Sequence, residues 1–296
     1  LQELGRLDEA ETSHTQAIAL KPDYAEAHSN LGNTLLELGR LDEAEATCKQ
    51  AIVLKPDLAE AHSNRGKTLY ANGNIDWAIG SHEKAYQIDS SMRENELLLK
   101  ILKSKKTQST TIQNIGSKAG LKFNLRIQDR IVEAELISSL YEINSTSLAN
   151  APGPRYGNGR CSPDYELFNE DRFIIQTAKN DLIDIMKLAV KSEVYVFDSF
   201  FNIFGPGGGI TPHQHLNKLD KDKYQNLESQ KYSLVYYLSV GDQDCSEPGI
   251  LKLYDPEEDI LPSDGMIIIF PASRRHSAVY WGKTDRVIIG ANFYSL

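Results

Sequence analysis

Apolar residues in the first hundred positions recur with helical spacing, and the whole pattern repeats. Residues 24–57 align without gaps on residues 58–91, which gives a period of 34 residues. Residues 1–23 match the last part of the same unit. Each unit predicts two helices, because apolar positions return every three or four residues and Pro22 and Pro56 follow the second helix. The pattern therefore predicts a stack of helix pairs.

Small residues recur where paired helices must approach closely. Gly32 and Gly66 take equivalent positions on the first helix. The second helix carries Ala10, Ala44 and Ala78, then Ala17, Ala51 and Ala85. A further helix over 93–103 is expected to cover the last repeat through Leu97, Leu98, Ile101 and Leu102. Because His28 and His62 take the same repeat position, a structural role is expected for both rather than metal binding.

These features resemble the tetratricopeptide (TPR) repeat, and the likeness covers about residues 1–100. The resemblance implies an α-solenoid whose concave face binds a protein or peptide partner. A passive spacer and an oligomerisation surface are the alternatives. Residues 103–120 are polar, rich in Ser, Thr and Lys, and lack apolar periodicity. We therefore expect helical repeats with a capping helix over 1–104, a linker over 105–120 and a second domain over 121–296.

The second domain begins with helical patterns and ends with strand patterns. Helical spacing is seen over 129–143 and again over 171–191, with a Gly- and Pro-rich loop at 151–168 between them. From Val194 onward, short runs rich in β-branched and aromatic residues follow one another. They read VYVFDSFFNIF, YSLVYYLSV, ILKLY, GMIIIF, HSAVYW and RVIIGANFY. No helical pattern separates them, so an antiparallel sandwich or barrel with helices outside is expected.

Composition narrows the classes of function. A net charge of −9 argues against a nucleic-acid or anionic-membrane binder. No apolar run approaches the roughly 20 residues that span a bilayer. Three widely spaced cysteines do not form a disulfide framework, which favours a reducing, cytoplasmic setting. Because the chain does not begin with Met and Leu1 falls inside a repeat, we expect a piece of a longer protein.

The histidines of the second domain predict a metal site. In His213-Gln214-His215 the two imidazoles alternate, so on an extended segment they share one face. His276 follows a strand and turn that could return it to the same place. Neutral imidazole suits Fe, Zn and Cu, and two or three ligands on one face leave coordination positions open. Alternatively, His215 forms a hydrogen bond beside the metal.

Carboxylates and arginines near these histidines add to the prediction. Asp220, Asp222 or Glu228 in the polar insertion after His215 could also supply a metal ligand. Arg286 lies ten residues after His276, and its guanidinium fork suits a carboxylate. If Arg286 is buried without a protein partner, its charge needs an anion nearby. The alternative is that Arg286 lies at the surface. Arg274 and Arg275 are expected to be solvated turn residues, although one could meet an acidic substrate group.

Residues 194–294 resemble the 2-oxoglutarate/Fe(II)-dependent dioxygenases, which carry H-x-D…H…R/K on a double-stranded β-helix. That fold is a jelly-roll or cupin-like arrangement, here with flanking helices. The resemblance implies that His213, His215 and His276 bind Fe(II) and are catalytic, and that Arg286 binds the far carboxylate of 2-oxoglutarate. Tyr236, in a Y-Y-L that resembles prolyl hydroxylases, would help Arg286. Asn202, in N-I-F-G-P-G, resembles the asparagine that contacts the cosubstrate in AlkB-type dioxygenases.

The chain departs from the usual pattern at His215, where the family carries a carboxylate. It is most similar to an uncharacterised group of 2-oxoglutarate/Fe(II) oxygenases with H-x-H. The resemblance implies an oxidoreductase, a hydroxylase that releases succinate and CO2 and acts on a protein or peptide recruited through the repeats. Two alternatives stay open. One is a three-histidine dioxygenase that does not use 2-oxoglutarate, and the other is a non-catalytic TPR adaptor with a structural barrel.

Overall fold

The chain divides into two compact units, Leu1–Ser117 and Lys118–Leu296. The computed structural model describes residues 2–111, 126–222 and 224–296. Among these residues, no helix combines the length and the apolar character that crossing a bilayer requires.

The first unit is helical, as the repeat pattern predicts. Its helices are α1 (Gln2–Leu20), α2 (Ala25–Leu38), α3 (Leu41–Leu54), α4 (Ala59–Ala71), α5 (Ile75–Ile88) and α6 (Arg93–Thr111). Helices α2 and α3 form one full repeat and α4 and α5 the next. The leucines and the isoleucine expected on the capping helix are buried in α6. The predicted capping helix is therefore confirmed.

The repeated small residues lie at close helix contacts. A Cβ on Gly32 would overlap the Sγ of Cys48, and one on Gly66 would lie 2.7 Å from His82 Nε2. Ala44 and Ala78 are fully buried at the equivalent helix contacts. Glycine is therefore required on α2 and α4 because a side chain of the paired helix fills the space above it.

The two repeat histidines have the structural role expected of them. His28 Nε2 lies 3.0 Å from the carbonyl oxygen of Pro22, and His62 Nε2 lies 2.9 Å from that of Pro56. Each bond ties a helix to the turn that precedes it. Neither histidine is part of a metal-binding cluster among the described residues.

Two predicted boundaries are wrong. Helix α6 continues to Thr111, so residues 105–111 of the expected linker are helical, and residues 112–120 lie outside the described residues. The helix predicted over 129–143 begins instead at Ala134, and Asp129 belongs to a strand, residues 126–129, that pairs with residues 266–269. Strand pairing between distant segments overrides local spacing in this short stretch, because the partner strand satisfies its backbone groups.

The described residues of the second unit form two α-helices, α7 (Ala134–Glu142) and α8 (Phe173–Val190), and twelve strands. The strands before the histidine segment are β1 (Arg126–Asp129), β2 (Thr146–Ser147), β3 (Arg155–Tyr156), β4 (Gly159–Cys161), β5 (Val194–Phe204) and β6 (Gly208–His213). Those after it are β7 (Lys231–Ser239), β8 (Leu251–Leu253), β9 (Glu258–Ile260), β10 (Met266–Pro271), β11 (His276–Tyr280) and β12 (Arg286–Ser295). All six predicted strand segments form strands.

The strands form two antiparallel sheets. One has seven strands in the order β1-β10-β7-β12-β5-β4-β2, and the other has five in the order β3-β6-β11-β8-β9. Apolar residues of α7 and α8 pack on one face of the larger sheet, against residues such as Ile289. The opposite face, which includes Ile288, packs against the smaller sheet. This alternation explains why the central strands read as nearly continuous apolar runs, since both of their faces are buried.

Candidate metal centre

Three histidines meet between the ends of two strands. His213 ends β6 and His276 begins β11, and the two residues are direct partners in the ladder. His215 follows β6, and its backbone N–H donates to the carbonyl oxygen of Ala272 at 2.9 Å. The ring centroids are 4.2 Å apart for His213 and His276, 4.8 Å for His213 and His215, and 5.0 Å for His215 and His276. One potential ligand atom from each residue lies within 4.8 Å of the others.

Burial keeps these imidazoles neutral. Burial, aided by the nearby His213, lowers the pKa of His276 to about 3. Burial likewise lowers the pKa of His213, and it holds the pKa of His215 well below the ordinary value. A neutral imidazole offers a lone pair to a metal ion. His213 Nδ1 donates to the carbonyl oxygen of Thr211 at 2.9 Å, so Nε2 is the nitrogen of that ring that would bind a metal.

A polar network supports His215. Asn292 Nδ2 lies 3.4 Å from His215 Nδ1 and donates to Asp198 Oδ1 at 2.7 Å. Ser233 Oγ donates to Asn292 Oδ1 at 2.7 Å, which fixes the orientation of the amide. The Asn292 amide therefore presents an N–H to the Nδ1 side of His215. A metal-ligating imidazole donates its other ring N–H to an acceptor, so an amide N–H beside Nδ1 suits the alternative in which His215 forms a hydrogen bond next to the metal.

The carboxylates proposed as alternative ligands are engaged elsewhere. Asp220 accepts from Lys231 Nζ at 2.8 Å and from the Tyr294 hydroxyl at 2.6 Å. Asp222 Oδ1 accepts backbone N–H groups of its own loop at 2.8 and 3.0 Å. Glu228 is exposed. Among the described residues, the histidine cluster includes no carboxylate, so the three histidines alone are the ligands that the structure brings together.

Arg286 is buried in the space between the sheets, on the same face of β12 as Ile288. Only 2% of it is exposed, and its guanidinium carbon lies 4.9 Å from the ring centroid of Tyr237. Its Nη1 donates to the carbonyl oxygens of Pro248, at 3.3 Å, and Gly249. Its Nη2 is buried without a hydrogen-bond partner, and no described carboxylate pairs with it. Burial lowers the pKa of Arg286. The alternative of a surface arginine is wrong.

Asn202 lies on the same inner face, on β5 opposite Ile288. It is 0% exposed, and neither its Oδ1 nor its Nδ2 has a hydrogen-bond partner among the described residues. Leaving a buried polar group unsatisfied costs about 1–3 kcal/mol. Two such atoms on one side chain therefore require a polar partner that the described residues do not supply.

The structure corrects the expectation for Tyr236. Its side chain faces the helices: its hydroxyl donates to the carbonyl oxygen of Ile131 at 3.0 Å and accepts from Arg130 at 3.0 Å. Neighbouring strand residues point to opposite faces, so Tyr237 is the tyrosine beside Arg286. The expected contact between Tyr236 and Arg286 is therefore wrong, because the sequence does not show which face of β7 turns toward Arg286.

The expectation for Arg274 is also wrong. Arg274 is buried rather than solvated, and its Nη2 donates to Glu258 at 3.1 Å and to the carbonyl oxygen of Pro256 at 2.6 Å. Arg275 is exposed, as expected, and lies over the ring of Tyr254. The contacts of both arginines lie outside the histidine cluster.

Other residues near the histidines were not anticipated. The ring of Phe200 lies 6.5 Å from that of His215, and the positive charge of Arg155 lowers the pKa of both His213 and His215. Neither residue belongs to a recognisable motif. Asn292 did leave a signal, since it is a polar residue within the otherwise apolar run RVIIGANFY.

Comparison with known proteins supports the reading of the first unit. Residues 1–68 match the family model for the tetratricopeptide repeat, so this part of the chain contains TPR repeats. None of the curated proteins matches the chain. The first TPR of Spaghetti (RPAP3) bound to an HSP90 peptide is 21% identical, with a TM-score of 0.34, and covers 36% of this chain and 83% of its own.

Two further solved structures are similar to part of the chain. The first TPR domain of human RPAP3 is 20% identical, with a TM-score of 0.35, and covers 37% of this chain and 87% of its own. A mutant of the Thermobaculum terrenum O-GlcNAc transferase is 25% identical, with a TM-score of 0.32. That match covers 34% of this chain and 20% of the transferase.

Proposed function

We propose that the second unit is a dioxygenase dependent on Fe(II) and 2-oxoglutarate, built on a double-stranded β-helix. One observation carries the proposal: a buried arginine and a buried asparagine, both with unpartnered polar atoms, share the interior of the two sheets with three neutral histidines. The histidines suit a ferrous ion, and Arg286 suits a carboxylate. A dicarboxylate that also binds the metal fits both requirements.

Each residue has a distinct task in this proposal. His213 and His276 hold the metal. His215 is either a third ligand or a neighbour that forms a hydrogen bond beside the metal. Arg286, flanked by Tyr237, binds the far carboxylate of 2-oxoglutarate, and Asn202 forms hydrogen bonds to the cosubstrate. Bound iron would supply the activation of O2, with 2-oxoglutarate as the source of electrons.

The inward position of Arg286 favours 2-oxoglutarate over the competing enzyme reading. A three-histidine dioxygenase that does not use the cosubstrate predicts an arginine turned away from the metal. Arg286 instead lies between the sheets, with one guanidinium nitrogen unpartnered. A bound dicarboxylate would supply the hydrogen bond that Nη2 of Arg286 lacks.

We also propose that the TPR repeats bind a protein or peptide partner and that this partner brings the substrate. TPR repeats suggest partners of this kind, and the RPAP3 repeat was solved with a peptide. A reducing, cytoplasmic location is proposed because the three cysteines are free.

Anaerobic titration with Fe(II) and then 2-oxoglutarate tests the proposal. The wild-type protein is expected to develop the weak visible charge-transfer band of a chelated cosubstrate, and to form succinate in air. Arg286→Gln is expected to bind Fe(II) normally but 2-oxoglutarate more weakly, while the exposed Arg275→Gln serves as the matched control. A folded protein that takes up no metal would support the adaptor. Metal-dependent O2 consumption that does not change when 2-oxoglutarate is added would support the three-histidine dioxygenase that does not use this cosubstrate.

A further inference from the structure

Arg155 is a second inward-facing arginine that the proposed function does not use. It lies on β3, at the edge of the smaller sheet, opposite Ile210, whose side chain packs into the core between the sheets. Residues directly opposite in a ladder point to the same face. The half-buried Arg155 side chain therefore leaves the sheet edge toward the same interior space as the histidines.

Two aromatic rings hold the guanidinium of Arg155 in place. Its central carbon lies 5.1 Å from the ring centroid of Tyr165 and 5.1 Å from that of Phe200. Its Nη1 donates to the Tyr165 hydroxyl at 3.2 Å. Stacking on aromatic rings fixes the plane of a guanidinium while its N–H edge stays available, so this geometry preorganises a planar donor.

This guanidinium has no anionic partner among the residues that the structure describes. Its neighbours there are Tyr165, Phe200 and the thiol of Cys161. A guanidinium carries five N–H donors, and the bonds to Tyr165 and to the Cys161 thiol use at most two of them. Arg155 is only half-buried and its neighbour Tyr165 is exposed, so solvent reaches this part of the sheet edge.

Arg155 also lies close to the metal centre. The Phe200 ring that it stacks on is 6.5 Å from the ring of His215. Because His215 takes the place of a carboxylate, the three histidines would add no negative charge to a divalent metal, and the chelating carboxylate of 2-oxoglutarate would offset only one of its two positive charges. Arg155 adds a further positive charge beside it. A substrate with an anionic group complements this electrostatic field better than a neutral one.

We propose that Arg155 binds a carboxylate of the molecule that is oxidised, with Tyr165 and Phe200 flanking the bound group. The inference rests on the proposed function and names its substrate class: an acid, whether a small molecule or an acidic residue of a recruited protein. Arg286 binds the cosubstrate in this account and Arg155 binds the molecule that is oxidised, so each anion has its own arginine.

Paramagnetic relaxation by Mn(II) tests this assignment without a known substrate. The full chain is loaded with Mn(II) and saturating 2-oxoglutarate, and the proton relaxation of added benzoate and of benzamide is measured. Because relaxation falls steeply with distance from the metal, only a probe held near the histidines responds. Benzoate is expected to bind the wild-type protein about tenfold more tightly than benzamide, as a charge-assisted hydrogen bond predicts.

Variants of two stacked arginines, one on β3 and one on β4, provide the matched comparison. Arg155→Gln is expected to reduce benzoate binding to the level of benzamide, and Arg155→Lys to give an intermediate loss. Arg160, which stacks on Tyr141 at 4.8 Å and donates to its carbonyl oxygen, is the control, and Arg160→Gln is expected to bind as the wild type does. Retained Mn(II) binding by each variant, read from water relaxation, shows that the fold is intact.

The outcomes separate the two proposals. Equal binding of benzoate and benzamide, or benzoate binding that survives Arg155→Gln, overturns the assignment of Arg155. So does benzoate binding that is strong with Mn(II) alone and is lost when 2-oxoglutarate is added to saturation, because it would make the cosubstrate the anion that Arg155 binds. If neither Mn(II) nor 2-oxoglutarate binds the folded wild-type protein, the proposed function itself fails, and this inference fails with it.

Discussion

The first unit is expected to lose stability in mild acid because of one buried histidine. His82 on α5 is fully buried against Gly66. Its Nδ1 lies 2.6 Å from Asn95 Oδ1, and its Nε2 has no hydrogen-bond partner among the described residues. Protonation would add a second N–H at Nε2 where no acceptor lies. Burial accordingly lowers the pKa of His82 from 6.5 to about 4.

The sign and the size of the effect follow from this pKa difference. The unfolded chain binds a proton near pH 6.5, and the folded chain binds it only near pH 4, so the free energy of unfolding falls as pH decreases through that window. Above pH 6.5 the contribution is fully present. The difference corresponds to a loss of about 3 kcal/mol when both states are protonated.

Denaturant unfolding of the full chain, followed by helical circular dichroism between pH 7.5 and 4, measures this loss. His82→Cys is the matched variant, because Cys48 fills the equivalent position against Gly32 one repeat earlier. Carboxylates titrate in both proteins, so the difference between the two pH profiles isolates His82. Its expected value is about 3 kcal/mol, with the wild type more sensitive to acid. Parallel profiles would refute the argument.

Three further predictions concern the second unit. Asp220→Ala leaves the 2% exposed Lys231 side chain without its partner and should lower the free energy of unfolding by about 3–5 kcal/mol. In the double variant Asp220→Leu/Lys231→Met most of that stability should return. If it does not return, the lost ion pair is not the cause. Gly249→Ala places a Cβ on Arg286 Nη1 and should weaken 2-oxoglutarate binding without loss of Fe(II), whereas Gly153→Ala, at a similar positive φ but with open space around it, should not. Tyr237→Phe should weaken 2-oxoglutarate binding and Tyr236→Phe should leave it unchanged; the reverse would restore the original assignment of the Y-Y-L motif.

Much of the fold was predictable because its signals are local and repeated. The 34-residue period and the small residues at helix contacts predict the TPR repeats directly. The six apolar runs after Val194 predict the central strands, since each is bounded by turn residues. The ends of elements were less predictable. Residues 126–129 form a strand because a distant segment pairs with them, and no local pattern records that pairing.

The candidate site was predictable where residue types or spacing constrain the chemistry. Alternation brings His213 and His215 together, and a buried arginine such as Arg286 requires an anion. The choice between Tyr236 and Tyr237 depends on which face of β7 turns inward, which the sequence leaves open. Arg155 lies in a Gly- and Pro-rich segment that the sequence predicts as a loop and that carries no motif, so only the folded chain shows its place on β3 near the histidines.

Anaerobic crystallography of the protein with Mn(II) and 2-oxoglutarate tests the central claim most directly. The account predicts one metal ion bound by His213 and His276, and a 2-oxoglutarate molecule that joins this ion to Arg286, with Asn202 hydrogen-bonded to it. A metal ion bound away from these histidines would contradict the account. So would a bound cosubstrate that leaves the Nη2 of Arg286 without a partner.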